Sequence, residues 1–112
     1  MDIKNSEGRY IKIAVGVPVS HADDIREVLN MFSAGKQGNY DCCSFSVKGI
    51  GRFRPLKGAN PHIGKAGKIE EVEEERIQTI ALEKDMKKII EAIKKAHPYE
   101  EPAIDVWSLL YP

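Results

Sequence analysis

The chain has no net charge: 17 lysines and arginines stand against 17 aspartates and glutamates in 112 residues. That removes the long-range field that would draw it to DNA or to an anionic membrane, so a charged partner must be met by a local patch. Cysteine is scarce. Cys42 and Cys43 are the only two, and as neighbours in an extended segment they point to opposite faces, which leaves neither a structural bridge nor a CxxC pair. A reduced, cytoplasmic protein is the expectation. No apolar run approaches the roughly 18 residues of a membrane span, and the polar start MDIKNSEGRY does not read as a secretory signal. Histidine is limited to His21, His62 and His97, and neither Ser44 nor Ser46 stands in a recognisable order with a histidine and an acid. No catalytic residues are assigned, and an enzyme is not expected.

What is present is a regular alternation of elements. The length suits one domain with one core, expected over residues 10–112 behind a flexible leader at 1–9. YIKIAVGVP places Ile11, Ile13, Val15 and Val17 on one side at period two, the pattern of a strand with a buried face. Ser20 is placed to cap a helix in which Ile25, Val28, Leu29 and Phe32 share a face, with Gly35 at its C-terminal end. CCSFSVKG reads as a second strand, and the glycines and prolines from Gly49 to Gly67 as a long irregular connection.

A third strand is expected within Ile69 to Leu82, its acidic beginning as a solvated or subunit-facing extension. EKDMKKIIEAIKKAH puts Met86, Ile89, Ile90 and Ile93 on one stripe of a second helix, which Pro98 stops, and AIDVWSLLY gives the last strand. The order β, α, β, β, α, β predicts an α+β, ferredoxin-like fold: a four-stranded antiparallel sheet with two helices on one face.

Two stretches carry candidate chemistry. HPYEEPAID concentrates an imidazole, a phenol and three carboxylates at the junction of the second helix and the last strand. His97, Glu100 and Glu101, with His62, are the candidate ligands for a divalent metal, a partial set because adjacent glutamates tend to point apart. The same residues also suit a structural turn, since His97 favours the negative end of the helix and Pro98 and Pro102 enforce the exit. The second stretch, Cys42 to Ile69, carries Lys48, Arg52, Arg54, Lys57, Lys65 and Lys68 and no acid. Such a basic lobe suits a small anionic ligand or a carboxylate-rich protein partner, or pairing with the acidic run Glu70 to Glu75.

Arg52, Arg54, Lys57 and Lys65, with the turn residues Asn39, Tyr40 and Asp41, are therefore the candidate ligand residues. GANPHIGKA fails as a phosphate loop, having five residues between its glycines and Ala66 where a hydroxyl belongs. Nucleic-acid binding is not expected, because Phe53 is the only aromatic interleaved with the arginines.

The segments GNYDCCSF, GIGRFRPLKGANPHIGKAGKIEEVEEERIQTI and AHPYEEPAIDVW, in this order, resemble the inserted domain of the YqfO-like dinuclear-metal family, also called NGG-interacting-factor-like proteins. The resemblance runs from about Tyr10 to Tyr111. It implies a CutA-like and PII-like fold of the kind that associates as trimers, standing without the flanking halves that hold the family's two-metal centre. HPYEEPA is also similar to a segment of CutA proteins, which are linked to divalent-cation tolerance. The expected function is a non-catalytic, oligomeric binding or regulatory module, with a divalent-metal-binding protein as the alternative.

Overall fold

The structure, a computed structural model, describes residues 9–111. Strand β1 (Tyr10–Pro18) leads through a single 3-10 turn into helix α1 (Ala22–Met31). Strands β2 (Phe45–Phe53) and β3 (Glu70–Leu82) form a long hairpin, a second 3-10 turn enters helix α2 (Met86–Ala96), and β4 (Ile104–Ser108) closes the sheet. The strand order is β2-β3-β1-β4 and every pairing is antiparallel. This is the ferredoxin-like arrangement expected from the sequence. The leader expected at residues 1–9 lies outside the described residues except for Arg9, whose carbonyl accepts the Glu83 N–H at 2.8 Å.

The core follows from the two periodicities. Ile13, Val15 and Val17 of β1 and Ile77 of β3 are fully buried against Ile25 of α1 and Ile89 and Ile93 of α2. A side chain of this kind stabilises by about 1.5–3 kcal/mol on leaving water, so this layer fixes the helices to one side. The alternate residues face the other side, which no helix among the described residues covers. Phe45 and Val47 of β2 and Trp107 of β4 belong to that open face by register, and all three are exposed, at 67%, 54% and 42%.

Several boundaries differ from the sequence reading for identifiable reasons. Ser20 does not cap α1. Its hydroxyl pairs with His21 Nδ1 at 2.9 Å inside the 3-10 turn, and His21 takes the cap position. The left-handed residue ending α1 is Ser33 (φ 63°), not Gly35: Ala34 N–H reaches Leu29 O and Ser33 N–H reaches Asn30 O, a Schellman closure before Gly35 is reached.

β2 begins after the cysteines and runs on through Gly49 and Gly51, so the irregular connection is residues 54–69 only. The acidic run is not a loose extension. Its residues pair with β2 along their whole length, and alternation sends Glu75 to the helix side, where Arg26 binds it at 2.8 Å, and Glu74 to the open side. Beyond Glu74 the hairpin has no β1 partner and projects past the body of the sheet.

Candidate functional site

A cleft of about 550 Å³ lies where the projecting hairpin, its loop and the segment between α2 and β4 meet. Its walls include Phe53, Pro55, Leu56, Pro61 and Ile63 from the hairpin and Tyr99 from the HPYEE segment. A volume of this size falls within the roughly 300–1,000 Å³ of small-molecule sites.

The local sequence explains how Tyr99 gets there. α2 ends at Ala96, and His97 adopts an extended conformation (φ −78°, ψ 135°), as the following proline requires. The His97 ring then turns inward and is only 6% exposed. Its Nε2 lies 2.7 Å from the Gly16 carbonyl and its Nδ1 3.1 Å from the Tyr99 N–H. A carbonyl can only accept and an N–H can only donate, so Nε2 carries the proton and Nδ1 the lone pair. Burial holds the His97 pKa below its ordinary value, against an opposing contribution from the bond to Gly16. The neutral ring thus pins the start of β4's approach to the end of β1 and sets the backbone of Tyr99.

Tyr99 projects across the end of the sheet. Its hydroxyl donates to Glu74 Oε2 at 2.7 Å, and its ring meets Phe53 edge-on at 5.4 Å between centroids. Burial first, then the bond to Glu74, pushes the Tyr99 pKa far up, so the hydroxyl stays a donor. Glu100 accepts the Asn60 N–H at 3.1 Å, tying the loop to the HPYEE segment. Arg52 pairs with Glu71 at 2.7 Å, both exposed, while Arg54 makes no ion pair among the described residues.

The cleft brings together Arg52, Arg54, His62, Glu100 and Glu101 of the candidate residues. It leaves out His97, both of whose nitrogens are engaged by backbone. It also leaves out Lys57 and Lys65, and Asn39, Tyr40 and Asp41, which sit in a separate tight turn closed by two Gln37–Tyr40 backbone bonds. His62 stands edge-on to His21, ring centroids 5.7 Å apart. Among the described residues no three histidine, cysteine or acidic side chains converge as metal ligands, and His97 has no lone pair left to join Glu100 and Glu101. Sequence reasoning missed Glu74, Gly16 and Gly51, all on the cleft wall. The signal was available in Gly16, which sits inside the β1 pattern, where glycine marks a close approach, whereas Gly51 falls in the stretch read as a loop.

Comparison with known proteins agrees with the fold. The chain is 49% identical over 98 residues to the GTP cyclohydrolase 1 type 2 homolog of Halalkalibacterium halodurans, covering 88% of this chain and 26% of that protein. It superposes on the Bacillus cereus protein related to NIF3 with a TM-score of 0.80 at 42% identity, covering 93% of this chain and 26% of that one. These relatives are the NIF3-related proteins, and the likeness is to a part of them: the chain spans about a quarter of the length of the curated relatives it matches. The fold alone is shared with the periplasmic divalent cation tolerance protein CutA of Archaeoglobus fulgidus, at a TM-score of 0.67 and 17% identity over 92% of this chain and 86% of that one. No family model matches the chain. No helix among the described residues is long and apolar enough to cross a membrane.

Proposed function

We propose that this chain is a self-associating, non-catalytic binding or regulatory module, a counterpart of the inserted domain of NIF3-related proteins, with a trimer as the favoured assembly. The observation that carries the reading is the open sheet face. Phe45, Val47 and Trp107 stand exposed on a surface no helix among the described residues covers, and the nine-residue edge strand β2 borders it. An uncovered apolar face and a free edge are both resolved by association with further copies. Ligand sites commonly form at such boundaries, and the cleft beside the projecting hairpin is the ligand site in this reading, with Arg54 available to an anionic group. The free cysteines suit a reducing cytoplasm.

Native mass spectrometry of the untagged protein tests the assembly and reports retained small molecules at once. A trimer at micromolar concentration is the expected result, and a bare monomer would overturn self-association.

A further inference from the structure

Glycine weakens the interior of a strand, and a common reason for it is the close approach of another group. Gly16 in β1 and Gly51 in β2 flank one carboxylate oxygen, Oε1 of Glu74 on β3. A Cβ at Gly51 would fall 2.3 Å from that oxygen, and one at Gly16 would fall 3.4 Å from it. Oε2 of the same carboxylate is taken by the Tyr99 hydroxyl, and Tyr99 is itself fixed by His97 and Phe53. Oε1 receives no hydrogen bond or ion pair from any described residue. Of these six residues, all but His97 line the cleft. The result is a positioned carboxylate with one oxygen occupied and the other free, beside two aromatic rings.

We propose that Glu74 Oε1 is the recognition group of the cleft, and that the ligand is a small planar aromatic molecule presenting an amidine-like edge of N–H donors. A carboxylate offers only acceptors, so it selects donors, and a charge-assisted pair is the stronger kind of hydrogen bond. Glu101 adds negative charge to the lining and Glu100 is held by the Asn60 N–H, whereas Arg54, which lines the same cleft without an ion pair among the described residues, is left for an anionic substituent elsewhere on the same ligand. Phe53 and Tyr99 supply the surface a flat ring packs against, and a delocalised cation gains further from aromatic faces. The glycines have their reason here: any larger residue at Gly51 would occupy the space of the free oxygen. The inference rests on the reading of the cleft as a ligand site and not on the number of subunits.

The test is titration of benzamidine into the isotope-labelled full chain, followed by backbone amide shifts, with benzoate as the anion of the same shape. Benzamidine is expected to move the amides of Gly16, Gly51, Glu74 and Tyr99, and benzoate to leave them in place. Glu74→Gln is expected to weaken benzamidine by roughly tenfold or more, the worth of a hydrogen bond to a charged group. Tyr99→Phe, which keeps the carboxylate, should still bind. Should Glu74→Gln not fold, Gly51→Ala displaces the same carboxylate by contact and is expected to lose binding equally. Undiminished binding by Glu74→Gln, or by Gly51→Ala in its place, overturns the assignment. Equal shifts with benzoate overturn the ligand class while leaving the cleft as a ligand site. Silence with both probes removes the cleft reading as well.

Discussion

His97 shows how much a single residue's environment decides. Its place in HPYEEPAID suits a helix terminator, and the partial ligand set around it argues against a metal without deciding the matter. Burial does: with the ring 6% exposed and both nitrogens bound to backbone, the side chain is a structural pin. The ring is neutral when folded and its pKa is depressed below 6.5. The unfolded chain therefore takes up a proton that the folded chain resists, and stability falls as the pH drops below about 6.5, levelling once the folded ring itself titrates. Urea unfolding between pH 7.5 and pH 5 should show this decline, and His97→Gln, with its own donor and acceptor, should flatten it. An equally steep decline in the variant would assign it to other groups. Ser20 is a second case: its cap signature was legible, but its hydroxyl bonds His21 Nδ1 and the cap position falls to His21.

At the scale of elements, periodicity made β1 and both helices legible, because burial of one face repeats at 2 or 3.6 residues, whereas β2, with no buried face, lies three to four residues further along than its sequence reading. Glycine meaning was less legible. Gly49 and Gly51 look like loop residues in the sequence yet lie inside β2, while Gly35, read as a helix cap, serves packing instead. Gly35 has φ +86°, and a Cβ there would meet the Cys43 backbone at 2.5 Å; the segment is clamped by Cys43 N–H to Gly35 O and by Thr79 Oγ1 to Cys43 O. Gly51 has no such strain, and the atoms in its way are the far end of Glu74, which can turn.

The two positions should therefore respond differently. Gly35→Ala is expected to cost at least about 1–3 kcal/mol, from backbone strain alone. Gly51→Ala should cost less, about 0.5–1.5 kcal/mol, the net worth of the hydrogen bond it takes from the Tyr99 hydroxyl. Thermal unfolding compares the two, and similar losses at both would show that the Gly51 environment is rigid.

For the molecule as a whole, the architecture raises a requirement that no single residue expresses. Both helices lie on one side of a four-stranded sheet, so the other side must be polar, small, or covered by something outside the chain. Part of it is small or charged: Ala14 and Gly16 in β1, and the Arg76–Asp105 pair at 3.4 Å. Part is not, and Val47 sits beside Arg76 in register, half exposed, between Phe45 and Gly49. Nothing in the sequence pattern of β2 distinguishes a face that meets another copy from one that meets water, which is why the exposed set appears only once the register is known.

Val47→Lys separates these cases. The position is 54% exposed within the chain, so a lysine can reach water and the fold should persist. In an assembly that covers this face, the same lysine is buried without a partner. At about 1.4 kcal/mol per factor of ten, even a modest desolvation penalty of about 2–3 kcal/mol weakens each contact by roughly 30- to 150-fold. Sedimentation velocity across a concentration series should show the variant dissociating at concentrations where the wild type holds together, with unchanged circular dichroism. A variant that assembles as tightly as the wild type would mean that the open face, despite Phe45 and Trp107, is not where the copies meet.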